Sequence, residues 1–178
     1  AEVSRSFGNK TSWDRPSDEW FKVFVGEANS AIFDNGRENR AVNYDALTVS
    51  GDYDLVYIDP PYLSQRGAAV DYLDFYHFLE GLTLGQEWAA RIDHTSKHRR
   101  LKPQPAPWTD KTRIHAAFDT LFSRYHKSIL VVSYRSDGIP TEEELIGLLK
   151  KYKQDVRVAY FGQYTYALST NSDSKEIL

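Results

Sequence analysis

The residues of this chain with the clearest chemical potential are Asp59, Pro60 and Tyr62, which follow a short apolar run. The run Leu55–Ile58 lies between turn-forming residues, and a continuous apolar run of this length is typical of an interior strand of a parallel sheet. Two prolines then end the ladder and hold the backbone extended, because each fixes its own φ and biases the residue before it. We therefore expect these groups at the carboxyl end of a strand, where open α/β sheets bind their ligands.

These three groups suit a planar base that carries an exocyclic amino group. The nitrogen of such an amine is a poor nucleophile because its lone pair is delocalised into the ring. The Asp59 carboxylate and the Pro60 carbonyl can accept its two hydrogens and draw the nitrogen toward a tetrahedral geometry. Tyr62 can stack on the face of the base, a contact worth roughly 1–3 kcal/mol. The simpler interpretation is a loop in which Asp59 caps the strand end and Tyr62 packs.

The tetrapeptide Asp59-Pro60-Pro61-Tyr62 after an apolar strand resembles motif IV of the amino-methyltransferases. Further similarity lies downstream, in the segments Asp71–Glu80, Ile129–Gly138 and Ser174–Leu178. Together these segments resemble the carboxyl-terminal half of bacterial adenine-specific DNA methylases of the Dam and restriction-modification type. The motif alone also admits amino-cytosine DNA methylases and guanine-amino methylases of ribosomal RNA.

The resemblance implies an enzyme of the bacterial cytoplasm that transfers a methyl group from S-adenosylmethionine to the amino group of adenine. Its partner would be double-stranded DNA, from which the target base is flipped out. The residues that match the catalytic motif are Asp59, Pro60, Pro61 and Tyr62. Direct methyl transfer depends on positioning the nucleophile, so no metal is expected.

Two further residues of this chain match positions next to the cofactor. Asp45, after the strand candidate Ala41–Tyr44, matches the acidic residue that binds the adenine end of S-adenosylmethionine. Tyr57 should border the transferred methyl group. An isolated aspartate after a strand is also a common turn former, so the sequence leaves both interpretations of Asp45 open.

The hydrophobic pattern predicts an α/β fold, in which the resemblance implies a Rossmann-like class I methyltransferase sheet with a terminal antiparallel hairpin. The predicted helices cover residues 17–33, 72–82, 110–125 and 141–152, and the predicted strands cover residues 41–44, 53–58 and 128–134. Ser17 and Thr141 are expected to cap their helices, with Gly36 past the end of the first. A hairpin of residues 156–161 and 164–168 is predicted around Gly162-Gln163.

The resemblance also implies a Phe-x-Gly-x-Gly loop for the cofactor, which this chain does not supply. Phe7-Gly8 lacks the second glycine and follows no strand. Without the first strands of the sheet, backbone groups beside the remaining strands would be unpaired, which folded proteins avoid. We therefore expect a companion amino-terminal segment that carries this loop. Residues 1–37 form a helical segment in this interpretation, and residues 38–178 the carboxyl-terminal part of the catalytic domain.

A basic, proline-rich insert spans residues 95–113 and carries six basic residues and one acidic residue, a net charge of +5. The prolines favour an ordered, extended loop instead of a helix. Such a patch would neutralise DNA phosphates while the target base rotates out. A solvated basic loop, or a surface that pairs with the acidic start of the helix at residue 141, is the alternative. The candidate DNA-binding residues are Lys97, Arg99, Arg100 and Lys102.

Ser133, Tyr134 and Arg135 end the second predicted strand on the sheet edge that also carries Asp59, so they are candidates to line the base pocket. No Gly-x-Ser-x-Gly elbow surrounds Ser133, which argues against an acyl-transfer nucleophile. The five histidines have no metal-binding spacing.

Composition narrows the function classes. The net charge of −3 argues against a histone-like polycation, and no apolar run approaches the ~20 residues that cross a bilayer. The absence of cysteine excludes a thiol nucleophile, which the resemblance associates with carbon-5 cytosine methylation. Two alternatives stay open: a guanine-amino methylase of ribosomal RNA, and a non-catalytic DNA-binding remnant or partner subunit. The long insert between Tyr62 and Ile129 favours DNA over RNA.

Overall fold

A computed structural model describes residues 16–65, 73, 76–163 and 175–178 of the 178. The chain divides into two compact units, residues 1–43 and 44–178. The described helices are α1 Ser17–Ala31, α2 His77–Leu84, α3 Trp88–Arg91, α4 Ile114–Arg124 and α5 Glu142–Leu149, with single 3₁₀ turns at Gly85–Glu87 and Pro107–Thr109. The described strands are β1 Leu55–Ile58, β2 Ile129–Val132, β3 Tyr134–Arg135, β4 Tyr160–Gln163 and β5 Lys175–Ile177. The protein is mixed α/β, with small parallel and antiparallel sheets.

Helix α1 of the first unit confirms the predicted helix but not its ends. Pro16 occupies the cap position, and its carbonyl accepts the N–H groups of Glu19 and Trp20. Ser17 is therefore already helical, and the prediction that it caps the helix was wrong. Gly36, with a φ of 67°, lies in a later turn because its N–H donates to the Asp34 carboxylate at 2.7 Å.

The second unit is organised around β1 and β2, which pair in parallel. The register places Leu55 opposite Ile129 and Ile58 opposite Val132. Both strands were predicted, but as strands buried on both faces. Alternate side chains instead point outward in the described structure: Leu55 and Tyr57 are 52% and 56% exposed, and Ile129 is 65% exposed. The uniformly apolar sequence of each strand therefore did not predict which of its side chains are buried.

Helix α4 supplies the main apolar surface of the core. It buries one stripe at helical spacing, as the sequence predicted: Ile114, Ala117, Phe118, Leu121 and Phe122. The stripe joins a cluster that includes Ile58 of β1, Tyr134 of β3 and Ile177 of β5. This single cluster places the ends of three strands against one helix.

Helix α5 begins with the predicted capping box. The Thr141 hydroxyl accepts the Glu144 N–H at 3.3 Å, and the Glu144 carboxylate accepts the Thr141 N–H at 2.7 Å. The bond from Thr141, reinforced by the His115 imidazole at 3.1 Å, holds the pKa of Glu144 below its ordinary value. Because each partner satisfies an otherwise free N–H group, the box fixes where the helix starts.

The carboxyl-terminal residues form an antiparallel sheet in the order β3-β5-β4. β5 lies between the other two strands, with Glu176 opposite Arg135 of β3 and Phe161 of β4. The predicted turn at Gly162-Gln163 was wrong, because both residues lie within β4. The predicted second strand of the hairpin, Tyr164–Leu168, lies outside the described residues.

Two other predicted elements differ from the structure. Residues 41–44 form no strand, and the chain turns directly after them. Of the helix predicted from Tyr72, Leu73 is helical, and α2 covers His77–Leu84; the other residues of the predicted range before Tyr76 lie outside the described residues. None of the described helices is long and apolar enough to cross a membrane.

Candidate active site

The Asp59–Tyr62 motif lies at the carboxyl end of β1, as the sequence predicted. The Ile58 carbonyl accepts the N–H of Ser133 at 2.9 Å, so the last rung of the parallel pair ends where the motif begins. Asp59 is exposed, Pro60 is buried and Tyr62 is half-buried. The motif therefore presents its carboxylate to solvent while its backbone is held against the core.

A continuous row of hydroxyl and carboxylate oxygens extends inward from Asp59. The Tyr62 hydroxyl donates to Asp59 Oδ1 at 3.0 Å and lies 3.1 Å from Ser133 Oγ. The Ser133 hydroxyl donates to Glu176 Oε1 at 2.8 Å. Ser133 is only 1% exposed, so the row connects the motif to β5 through the interior of the protein.

Tyr134 supports the motif from beneath. Its ring packs edge-on against Tyr62, with centroids 5.5 Å apart, and it has no exposed surface. Its hydroxyl donates to the Ile139 carbonyl and accepts the N–H of Leu63 at 3.4 Å. Burial raises the pKa of Tyr134 to about 12. Tyr134 thus stays neutral and fixes the loop that carries Tyr62 through two backbone groups.

The loop is also joined to the segment after β3 through backbone contacts. The Ile139 N–H donates to the Leu63 carbonyl at 2.8 Å, and Ser64 forms an antiparallel bridge with Gly138. The two prolines end the hydrogen-bonded pairing of β1, so no neighbouring strand pairs with the backbone beyond them. The bonds to the segment after β3 pair these backbone groups instead.

An open cleft of about 320 Å³ lies beside the motif. Its walls are mostly apolar, and Asp59 is the one ionisable carboxylate among the residues that line it: Ala46, Val49, Val56, Tyr57, Ile58, Asp59, Pro60, Pro61, Trp108, Leu121 and Tyr125. Mostly apolar walls with a small number of polar groups are the usual composition of a small-molecule site. The cleft can receive a flat, apolar ring with a polar edge directed at Asp59.

Tyr57 and Asp45 occupy different positions relative to this cleft. Tyr57 contributes to its wall. The Asp45 carboxylate accepts the Leu47 N–H at 2.9 Å, and the Asp45 carbonyl accepts the N–H of Thr48 at 2.8 Å. Asp45 is therefore a turn former in this structure. The turn places its neighbour Ala46 in the cleft wall.

Of the three residues expected to line a base pocket, Ser133 contacts Tyr62, whereas Tyr134 has no surface available to a ligand. Arg135 is turned to Asp137, whose carboxylate accepts hydrogen bonds from Nε and Nη2 of Arg135 at 2.6 and 2.8 Å. Sequence reasoning missed Glu176 as a site residue, although it lies in the closing segment that carried part of the resemblance. It also missed Trp108, which lines the cleft; an aromatic residue after a proline-rich loop was the available signal.

The basic insert forms a tight turn and not an extended loop over its first part. Ile92 and Leu101 bridge antiparallel, and Asp93 and Arg100 are joined by a backbone bond of 2.8 Å. Lys97, Arg99, Arg100 and Lys102 are all exposed. Arg99 Nη1 donates to the His94 carbonyl at 2.9 Å, and Lys102 Nζ donates to the Ala90 carbonyl at 2.9 Å.

The far end of the insert reaches the motif. Trp108 lines the cleft, and Lys111 Nζ donates to the carbonyl of Gln65 at 3.3 Å. The chain therefore runs from the basic turn directly to the wall of the candidate site. Among the described residues, no cluster of three or more His, Cys, Asp or Glu side chains could hold a metal ion.

The chain is similar to bacterial modification methylases. It is 29% identical to modification methylase StsI of Streptococcus sanguinis over 150 residues, 82% of this chain and 22% of that protein. It is 28% identical to modification methylase LlaI of Lactococcus lactis subsp. lactis over 145 residues, covering 79% of this chain and 21% of that protein. It is 27% identical to the type II methyltransferase M.FokI of Planomicrobium okeanokoites over 143 residues, covering 75% of this chain and 20% of that protein.

The chain thus spans about a fifth of the length of these curated relatives. No protein-family model and no solved structure matches it. These relatives are named as modification methylases or a type II methyltransferase, and the Asp59–Tyr62 motif resembles a motif of the same class of enzyme.

Proposed function

We propose that this chain is the catalytic part of an enzyme that methylates the exocyclic amino group of adenine in DNA, using S-adenosylmethionine, in a bacterial restriction-modification system. The observation that carries the proposal is the position of Asp59: an exposed carboxylate at the end of β1, fixed by Tyr62 at the edge of an apolar cleft. The similarity to modification methylases supports the reaction class.

In this proposal the Asp59 carboxylate and the Pro60 carbonyl accept the two hydrogens of the amino group. These bonds favour a tetrahedral nitrogen, whose lone pair is then free to attack. Tyr62 stacks on the base, and its hydroxyl holds Asp59 Oδ1 at 3.0 Å, so that Oδ2 is left to face the substrate. Catalysis then rests on positioning two acceptors before the reaction, without a covalent intermediate.

S-adenosylmethionine, when bound, supplies the methyl group as an electrophilic carbon. The apolar cleft beside Tyr57 and Asp59 fits the reacting end of such a site. We assign Tyr57, which lines this cleft, to cofactor contact. Asp45 is not among the residues that line the cleft and its Oδ1 accepts the Leu47 N–H, so in this proposal Asp45 would contact the cofactor through Oδ2. The glycine-rich loop that the resemblance requires is absent from the sequence, so these residues account for only one side of a cofactor site.

We assign the missing side to a companion segment that pairs with β1. Among the described strands, β1 is hydrogen-bonded to β2 alone, and its Leu55 and Tyr57 side chains are exposed. A strand edge with apolar neighbours is unfavourable in water unless another strand or helix covers it. A segment that carries the cofactor loop would cover this edge and complete the site at once.

The basic turn is our candidate for DNA contact. Its four cations, Lys97, Arg99, Arg100 and Lys102, are exposed, and the insert continues to the cleft wall at Trp108. Phosphate contacts of this kind fix the register of a protein on the duplex without reading the sequence. A base rotated out of the stack would then enter the cleft beside Asp59.

The test is methyl incorporation by the intact protein, isolated together with any segment that accompanies this chain. Duplex DNA and ribosomal RNA are each incubated with methyl-labelled S-adenosylmethionine, and the nucleosides are separated after digestion. We expect label in N6-methyladenine of DNA, lost in Asp59→Ala while cofactor binding is retained. Glu143→Ala, an exposed carboxylate of α5, is the matched control and should keep its activity.

Each alternative has its own outcome. Label in guanine of ribosomal RNA would replace the proposal with the RNA methylase, and label in cytosine would change the target base. DNA binding without cofactor binding would identify a non-catalytic subunit. An intact mass well above that of these residues would locate the companion segment on the same polypeptide.

A further inference from the structure

The row of oxygens from Asp59 to Glu176 has fewer hydrogens than contacts. Asp59, Tyr62, Ser133 and Glu176 are joined by three successive O···O contacts of 3.0, 3.1 and 2.8 Å. Ionised carboxylates only accept, whereas a tyrosine or serine hydroxyl has one hydrogen to donate. Two hydrogens therefore serve three contacts. With Tyr62 donating to Asp59 and Ser133 donating to Glu176, the middle contact has no hydrogen.

With one added proton, each of the three contacts in the row has its own hydrogen. If it is on Asp59, then Asp59 donates to Tyr62, Tyr62 donates to Ser133 and Ser133 donates to Glu176. If it is on Glu176, all three bonds reverse and Asp59 is again a carboxylate. Both arrangements satisfy every contact, and once the added proton is on the Asp59 oxygen that contacts Tyr62, each proton moves only across a hydrogen bond. A buried polar network with every member satisfied is favoured over one with a gap.

Resting on the proposed function, we propose that this row is a proton relay, in which Glu176 receives through Ser133 and Tyr62 the proton that the methylated amine releases to Asp59. In each turnover the amino nitrogen forms an N–C bond while the S–C bond of the methyl donor breaks, and the bonding electrons stay on sulfur. The nitrogen then carries a positive charge, and one N–H bond breaks with its proton passing to Oδ2 of Asp59. Rotation of the protonated carboxyl group then turns this O–H toward the Tyr62 hydroxyl. A shift along the row restores the Asp59 carboxylate for the next substrate.

The fold holds the relay in place independently of the substrate. Ser133 follows β2 and is fixed by its backbone bond to Ile58, and Glu176 lies in the central strand of the antiparallel sheet. Ser133 is 1% exposed and Glu176 is half-buried, so the inner contacts are screened from water. Arg135 is the charged residue directly opposite Glu176 on the neighbouring strand, and its guanidinium also binds Asp137.

Glu176→Gln makes a sharp test because it changes the hydrogen count and preserves the shape. The amide N–H of a glutamine can donate to Ser133, so that Ser133 donates to Tyr62 and Tyr62 donates to Asp59. All three contacts can then be filled without an added proton, and the neutral amide cannot take up a proton as the Glu176 carboxylate can, so the relay has no acceptor at its inner end. Ser133→Ala interrupts the row at its centre and is the second test variant. Glu143→Gln, on the exposed first turn of α5, is the matched control.

The experiment is a single turnover of the intact protein with duplex DNA and S-adenosylmethionine in weakly buffered solution. Methyl transfer is followed by rapid quenching, and proton release by an indicator dye in a stopped-flow instrument. We expect the wild-type protein and Glu143→Gln to release the proton after methyl transfer, with a clear lag. In Glu176→Gln and Ser133→Ala the lag should disappear.

Two results would overturn the relay: proton release that coincides with methyl transfer in the wild-type protein, or a lag that persists in both variants. A purely structural role for Glu176 would change melting temperature or rate without removing the lag. Absence of methyl transfer by the wild-type protein would instead contradict the proposed function itself, so the two failures are distinguishable.

Discussion

The hydroxyl of Tyr134 accepts the backbone N–H of Leu63 at 3.4 Å, across 71 positions of the sequence. The same hydroxyl donates to the carbonyl of Ile139. One side chain therefore connects the loop after the Asp59–Tyr62 motif to the segment after β3. Leu63 and Tyr134 both have no exposed surface, so the Leu63 N–H cannot exchange this partner for water.

Tyr134→Phe should destabilise the protein and reduce methyl transfer. Removal of the hydroxyl leaves the buried Leu63 N–H without this acceptor, at a cost of about 1–3 kcal/mol, and loosens the loop that holds Tyr62. Urea unfolding gives the free-energy change. Tyr53→Phe removes a hydroxyl from a ring that is 48% exposed and should stay within about 0.5 kcal/mol of the wild type. Equal effects in the two variants would contradict the assigned role.

Tyr134 should also make stability fall in alkali. Its pKa is about 12 in the folded protein because of burial, against 10.0 for an ordinary tyrosine. The unfolded chain therefore loses this proton first, so the stabilisation is complete below pH 10 and is lost as pH rises toward 12. The difference in unfolding free energy between wild type and Tyr134→Phe should shrink over this range. Tyr160, whose pKa is raised by its bond to Glu142, is present in both proteins, so its contribution to the difference in unfolding free energy cancels. A constant difference would contradict the prediction.

Gly138→Ala should disturb the same loop by a different route. A Cβ at this position would clash with Cε1 of Tyr134 and would lie 3.1 Å from the carbonyl oxygen of Arg135. Because the Tyr134 ring is fully buried, we expect a cost of about 1–3 kcal/mol and a loss of methyl transfer. Gly147→Ala, in the interior of α5 with no described atom within 4 Å, should instead gain about 0.5–1 kcal/mol. Melting temperatures that shift in the same direction would contradict this account.

Charge removal in the basic turn should weaken DNA binding across all sequences. In the double variant Lys97→Gln/Arg99→Gln we expect lower affinity and a salt dependence reduced by about 0.9 for each phosphate that the protein no longer neutralises. Binding is measured by fluorescence anisotropy over a series of salt concentrations. Arg157→Gln is the matched control, because Arg157 is an exposed cation paired with Asp155 at 2.8 Å. An unchanged salt slope in the double variant would exclude this turn as the DNA-binding surface.

Elements set by neighbouring residues could be predicted closely. The stripe of α4 and the capping box at Thr141 were confirmed residue by residue, because both depend on contacts three or four positions apart. The end of β1 was predicted for the same reason, since two prolines must stop a strand. The predicted strand at residues 41–44 failed because a strand needs a partner, and none of the described strands provides one.

The residues around Asp59 show most clearly which features the sequence determined and which the tertiary structure decided. The sequence by itself determined that a carboxylate, two prolines and a tyrosine end a strand, and which chemistry those groups suit. Only the tertiary structure decided that Ser133 and Glu176 continue the row of oxygens from Tyr62, and that Trp108 lines the cleft. Those contacts join residues tens of positions apart. They arise from packing against α4 and from the pairing of β5 between β3 and β4, and no local periodicity encodes either of these.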